Sequence, residues 1–460
     1  MSRTLGAFAR ASGGRLSGAD VPYTDVVSDS RTLARGQLFV ALRGPHFDGH
    51  AFVAAAANAG AAGAVVEAVQ PVSLPQIVVG DTQAALTTAA RTWRSAFTGP
   101  LVAVAGSNGK TTAKEMTAAI LSQAGSCLAT RGNLNNHIGV PLTLLRLTAE
   151  HRFAVIELGA NRAGEVAALA ETARPSIGLI TNAGAEHLEG FGSLEGVARA
   201  EGELIAGLPA AATAVINADD EFAGLWRGLT AARVVTFGAR ERADYSASEV
   251  RTSVGAQGFR THFRLTAPQG SVAVELALGG AHNIANALAA AAAAASAGAT
   301  LAQVAAGLAA MRAVPGRLQF KQALAGAWLI DDSYNANPSS VRAAIEVLRS
   351  LGGRRWLVLA DMAELGEFAA QAHADIGESA RAAGIERLYA TGPLMAAAVA
   401  SFGEGAAWYP DTAALTAALR EALAGAASEV RILVKGSRFN RLERVVDALT
   451  DAAGTASGGH

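Results

Sequence analysis

The chain has 460 residues, too many for one ordinary core, so two or three domains are expected. Hydrophobic residues make up 51% and charged ones 17%, the balance of a globular chain rather than a disordered one. Its 38 basic and 39 acidic side chains leave a net charge of -1, which argues against nucleic acid or an anionic membrane surface as a partner.

The N-terminal stretch MSRTLGAFARASGG lacks the apolar run of a signal peptide, and the single cysteine, Cys127, has no internal disulfide partner. Both features point to the cytoplasm, with Cys127 read as a small buried hydrophobe. Residues 1–85 read as a small α/β domain, with strands at Gly36–Leu42 and Ala62–Glu67 and an alanine-rich helix, Ala51–Gly60, between them. From 86 to 312, short apolar runs at Leu101–Ala105, Phe153–Glu157, Ile177–Asn182 and Thr213–Asn217 alternate with helical stretches. Continuous runs of this kind mark a parallel sheet buried on both faces. Gly258–Leu265 and Ser271–Leu278 alternate with period two and predict an antiparallel ribbon. The alanine-rich run Leu288–Ala310 is interrupted by Ser, Gly, Thr and Gln and predicts a helix pair rather than a membrane span. A second series fills 313–455, with strands at Ala327–Asp332, Arg355–Asp361, Arg387–Gly392 and Arg431–Gly436, and GTASGGH reads as a frayed tail. The expected fold class is α/β in three domains, the central one a mostly parallel P-loop sheet and the last Rossmann-like.

The most informative short stretch is VAVAGSNGKTTAKEM (Val102–Met116), a strand that runs into a glycine-rich loop and then a helix ending at Gly125. Helix-start amides and the positive end of the helix dipole suit phosphate there. Gly106 and Gly109 let the backbone approach closely, Lys110 meets the terminal phosphates, and Thr111 offers a hydroxyl to Mg²⁺. The spacing is not G-x-x-x-x-G-K-S/T, because only two residues separate the glycines. An ordinary glycine-rich turn is the plainer account, and the order of strand, loop and helix weighs against it. Glu157 closes one strand and His187 follows another; strand C-termini in a parallel sheet converge on one crevice, so both are candidate metal-site residues. Each alone has a plainer account, a solvated glutamate and a structural histidine. The loop implies a nucleoside triphosphate and leaves the phosphoryl acceptor open.

Taken in order, GSNGKTTAKEM, GNLNNHIGVPLTLL, ELGANRAGEV, HLEGFGSLEGVARAEGEL, GAHNIANALAA, PGRLQ, DDSYNANPSS, DMAELGE and VKGSR resemble the Mur ligase family. DSYNANP and GNLNNHIGVP are specific strings, and they resemble the branch that joins D-alanyl-D-alanine to UDP-N-acetylmuramoyl-tripeptide. The resemblance implies a UDP-sugar domain, a central ATPase and a C-terminal domain that closes over the site, with ATP and Mg²⁺ required and a monomer expected. It also implies the acceptor: ATP phosphorylates the tripeptide carboxylate, and the dipeptide amine then attacks the acyl phosphate. Residue by residue, it implies that Gly106, Ser107, Asn108, Gly109, Lys110, Thr111 and Thr112 cradle the phosphates. Glu157 and His187 would serve the metal sites, Asn283 the adenine, and Arg317 the phosphates, with Asp332 and Tyr334 approaching the nucleotide from the last domain. Lys110, Glu157, His187 and Arg317 would thus be catalytic. Asp29, Ser30 and Arg31, with the loop Gly44–His50, would hold the UDP-sugar, and Asn135, Asn136, Asn161 and Arg162 would line the muramoyl-peptide side.

One position departs from the family pattern, VA-x-A-K-G-E, whose lysine is carbamylated to give a metal-bridging carboxylate. Here the text is VARAEGEL, and Glu201 stands in the lysine's place. A glutamate already ends in a carboxylate, though on a shorter stem, so the expectation is that Glu201 serves the second Mg²⁺ directly or through water; the alternatives are compensation by nearby Glu203 or a weakened second metal site. Competing accounts are a sister ligase that adds an amino acid, a P-loop kinase or switch that makes no amide, and an inactive relative that only binds substrate.

Overall fold

Three sheets, each backed by helices, carry the architecture, and the computed structural model describes residues 3–454 apart from His187, Ala256, Ala427 and Ser428. Two expectations, the loose tail from residue 455 onward and the placement of His187, lie outside the described residues.

The first sheet runs Arg15–Ser17, Gln76–Val78, Gly63–Val66, Leu38–Val40, Val26–Val27, parallel except for the first pair. A helix at Leu5–Ser12, absent from the sequence reading, packs here because Thr4 accepts the Ala7 N–H and Gly13 closes the end at φ 72°. A second, Thr82–Ser95, starts at the Asp81 cap and buries Leu86, Ala89, Ala90 and Trp93 on one face. That face packs against both Leu5–Ser12 and the central helix Gly139–Leu144, and Trp93 Nε1 donates to Leu147 O at 3.0 Å. The hydrophobic core is therefore continuous from the first sheet into one face of the central sheet.

The central sheet is fully parallel, in the order Arg233–Phe237, Thr213–Asn217, Ile177–Ile180, Leu101–Ala105, Phe153–Glu157, Cys127–Ala129. Its four inner strands are buried along their whole length, as continuous apolar runs require. The helices Lys110–Ser122, Ala281–Ser296 and Leu301–Ala310 pack together on one side, so the alanine-rich run is a helix pair. No helix among the described residues is long and apolar enough to cross a membrane. The antiparallel ribbon has three strands, not two: Ser246–Gly255 pairs outside Gly258–Ala267, which pairs with Gly270–Leu276. The added strand is mostly exposed and carries a bulge, so it has no hydrophobic alternation to read.

The last sheet runs Gln319–Gln322, Trp328–Asp332, Val430–Lys435, Arg354–Ala360, Arg387–Thr391, Ala406–Tyr409, parallel except for the antiparallel first strand. The helix Pro338–Arg349 leaves the Trp328–Asp332 strand with Asn337 as its cap and Pro338 at its first position. Its N-terminal end meets the phosphate loop of the central domain.

Candidate active site

The phosphate loop keeps its shape through backbone that only glycine tolerates and through bonds to the next strand end. Gly106 has φ 118° and Gly109 φ 81°, and a Cβ on either would strike Thr181 or Asn286. The Ser107 N–H donates to Asn182 O at 2.9 Å, and the Gly184 N–H donates to Ser107 Oγ at 2.8 Å. Asn182 grips Asn108 twice, accepting its N–H at 2.9 Å and donating to its carbonyl at 2.8 Å. Lys110 opens the helix, and its ammonium reaches Ser107 O and Glu186 Oε1, each at 3.1 Å. Burial works against that charge, yet the carboxylates of Glu186, Glu201 and Glu157 outweigh it and hold the Lys110 pKa above the ordinary lysine value.

A cavity of about 630 Å³ opens over this loop. Ser107, Asn108, Gly109, Lys110, Thr111 and Thr112 line it together with Asn135, Asn136, Glu157, Asn161, Asn283, Arg317, Asp332 and Tyr334. Most of the residues singled out from sequence thus meet in one place, drawn from both the central and C-terminal domains. Arg317 NH2 donates to Thr111 Oγ1 at 3.1 Å while its guanidinium lies 4.5 Å over the Tyr334 ring. Asp332 pairs with Lys435 at 2.7 Å and accepts the Leu318 N–H at 3.2 Å. Asn283 is buried, and its side-chain amide donates to Gly279 O at 2.8 Å.

Six of the singled-out residues that the structure describes stand elsewhere. Asp29, Ser30 and Arg31 form an exposed turn outside the cavity, where Arg31 pairs with Asp29 at 2.7 Å and holds its carboxyl down to about 2. Arg162 is exposed beside Gly190. Gly106 and Glu201 do not line the cavity; Glu201 is buried beneath the loop, where its Oε2 accepts the Gly106 N–H at 2.7 Å. Burial pushes the Glu201 carboxyl up to about 7, with Lys110 opposing the shift and Glu186 adding to it. One of the two Glu201 oxygens is thus bonded to the loop backbone.

The residues missed from sequence are those that join the domains. Asn337 Nδ2 donates to Asn108 Oδ1 at 2.8 Å and to Glu186 Oε2 at 3.4 Å, and Asn108 Nδ2 donates to Ser339 Oγ at 2.9 Å. His282, Asn286 and Lys435 also line the cavity, and burial holds the His282 pKa below the ordinary value, with Asp332 opposing and Lys435 assisting. The capping pattern in NANPSS was a readable signal for Asn337, but it pointed only to a helix start. Asn337→Ser should keep that cap while deleting the amide donor. The expected result is a KM for ATP raised about five- to tenfold with little change in Tm, measured by steady-state kinetics and thermal melting.

The donor set suits Mg²⁺. Glu157 is almost wholly buried, its Oε1 accepts from Asn135 Nδ2 at 2.8 Å, and its Oε2 has no hydrogen-bond partner. A buried carboxylate oxygen left without a partner, on a residue that lines the same cavity as Thr111, fits a hard cation. Among the described residues no three acidic, His or Cys side chains form a ready-made cage. Mg²⁺ commonly keeps waters and leans on substrate phosphates, so few protein ligands are needed.

Comparison with known proteins gives the following likenesses. Residues 22–94 match the profile described as Mur ligase family, catalytic domain; 104–294 match the Mur ligase middle domain; and 316–438 match the Mur ligase, glutamate ligase domain. The UDP-N-acetylmuramoyl-tripeptide--D-alanyl-D-alanine ligase of Escherichia coli K12 is 46% identical over 98% of this chain and 99% of its own length. The enzyme of the same name from Haemophilus influenzae is 38% identical over 94% of each chain. Among solved structures, MurF from Acinetobacter baumannii superposes with a TM-score of 0.90 at 33% identity, covering 98% of this chain and 99% of its own. MurF ligase from Thermotoga maritima in complex with ADP gives a TM-score of 0.81 at 26% identity, over 94% of this chain and 98% of its own.

Proposed function

The chain belongs to the Mur ligase family, and from that premise we propose how its own residues carry the reaction. It is an ATP-dependent ligase that joins D-alanyl-D-alanine to UDP-N-acetylmuramoyl-tripeptide, using Mg²⁺. The single observation that carries the mechanism is the convergence of the phosphate loop, the bare Glu157 oxygen and the C-terminal residues Arg317 and Asn337 on one cavity.

The tripeptide carboxylate attacks the γ-phosphorus of ATP and ADP leaves; the dipeptide amine then attacks the acyl carbon and phosphate leaves, forming the amide. A carboxylate is a poor electrophile, and its acyl phosphate has a good leaving group. Lys110 leaves Glu186 for the terminal phosphates, and Arg317 adds a second cation from the facing domain. Glu157, Thr111 and His187 are assigned to Mg²⁺, which when bound would neutralise phosphate charge. Asn283 and His282 take the adenine side, and Asp332 with Tyr334 fixes Arg317 and Lys435. Asn135, Asn136, Asn161 and Arg162 take the muramoyl-peptide side, and Asp29, Ser30 and Arg31 the UDP-sugar. The polar contacts from Asn108 to Asn337 and Ser339 close the domains and keep water from the acyl phosphate.

We assign residues 1–85 to the UDP-sugar domain, 86–312 to the ATPase and 313–455 to the closing domain. The cytoplasm is the inferred location, supported by the lone cysteine. Acceptor choice tests the branch: D-alanyl-D-alanine should support turnover, whereas single amino acids, including diaminopimelate, lysine and glutamate, should not. Turnover with a single amino acid in preference to the dipeptide would assign a sister ligase instead.

Glu201 has its own test. Glu201→Gln keeps an acceptor for the Gly106 N–H, and wild-type Mg²⁺ dependence is expected. Glu201→Ala leaves that amide unpaired and should cost about 1–3 kcal/mol in unfolding free energy. If Gln instead matched Ala and shifted the Mg²⁺ dependence, the carboxylate would be serving metal rather than the loop.

A further inference from the structure

Lys114 is an ionisable group that the mechanism above does not use. It lies one turn after Lys110 on the phosphate-loop helix, and it has no solvent-exposed surface. A buried ammonium is costly, and a methionine of similar length would fill the same space without that cost. Packing therefore does not explain the charge, and its hydrogen bonds do.

The Lys114 ammonium donates to Thr130 O at 2.7 Å and to Glu115 Oε1 at 2.5 Å. Thr130 follows the edge strand Cys127–Ala129 and opens the segment that carries Asn133, Asn135 and Asn136 into the cavity. Its hydroxyl accepts the Glu157 N–H at 3.0 Å, and its own N–H donates to Val155 O at 3.0 Å. At the far end of the segment, Asn135 Nδ2 holds Glu157 Oε1, and Asn135 O accepts the Gly159 N–H at 2.9 Å. One loop thus grips Glu157 by its backbone and by its carboxylate, leaving Oε2 bare. We infer that Lys114 is a positioning residue: by fixing the start of this loop it aims the Glu157 carboxylate into the cavity. The inference rests on the reading of Glu157 as a metal-site residue.

The test uses the full-length variants Lys114→Met, Thr130→Val, Thr130→Ser and Glu157→Gln. Two quantities are read: the Mg²⁺ dependence of kcat, and ADP affinity by calorimetry with and without Mg²⁺, which needs no turnover. Lys114→Met and Thr130→Val should bind metal-free ADP like the parent yet lose about tenfold or more of the gain that Mg²⁺ confers. The double variant should be no worse than the more affected single one, because both act through one path. Thr130→Ser, which keeps the hydroxyl, should behave like the parent. Unchanged Mg²⁺ linkage in Lys114→Met, with only a lowered Tm, would overturn the inference. Should that variant fail to fold, unchanged linkage in Thr130→Val overturns it in the same way. Glu157→Gln separates the two claims. If it too is unchanged, the reading of Glu157 falls and the inference with it; if it alone is impaired, only the role of Lys114 falls.

Discussion

Lys110→Met should lower kcat by about 10³-fold, the largest effect expected of any single change in this protein. The ammonium is held between Ser107 O and Glu186 at the mouth of the loop, and Arg317 and Lys435, the other cations lining the cavity, approach from the C-terminal domain. Methionine keeps the stem and loses the charge, so terminal phosphate charge goes unanswered at the moment it develops. The same change leaves the largely buried Glu186 carboxylate without its cation and should lower Tm, because breaking such a pair costs about 3–5 kcal/mol. Adding Glu186→Gln separates the two consequences. The double variant should regain much of the Tm and none of the activity, as read by melting and by steady-state rates.

Arg317→Lys should lower kcat/KM for ATP by roughly 10- to 100-fold, although the charge is kept. Arg317 bonds the Thr111 hydroxyl through one nitrogen while its plane lies over the Tyr334 ring. A lysine ammonium is a point charge on a flexible stem and does not combine those two contacts. Tyr334→Phe keeps the ring face and should have a small effect, whereas Tyr334→Ala removes the platform and should approach the Arg317→Lys defect. Parent-like kinetics in Arg317→Lys would mean that closure does not depend on this bridge.

The inner strands of the central sheet were legible because burial on both faces leaves an unbroken apolar run. Phe153–Glu157 and Thr213–Asn217 fall where that pattern places them. Edges were not legible, for the same reason inverted. Cys127–Ala129 is only three residues long, Ser246–Gly255 faces mostly solvent, and Gln319–Gln322 is polar. Such strands owe their place to pairing with a neighbour, which local composition does not encode. The phosphate loop could be read residue by residue, since glycine and lysine spacing reports local backbone chemistry. Asn337 and Glu186 could not, because their partners lie 229 and 76 residues away along the chain. Glu201 was assigned to a metal by its position in the family pattern, and the fold adds that one of its oxygens holds the loop backbone.

Phosphate release from ATP and Mg²⁺ in the presence of UDP-N-acetylmuramoyl-tripeptide, with and without D-alanyl-D-alanine and with and without bicarbonate, tests the central claim most directly. Sustained release that requires both substrates, yields a pentapeptide by mass and ignores bicarbonate is the predicted result. Release independent of both substrates, or a stable phosphorylated tripeptide that the dipeptide does not consume, would contradict it.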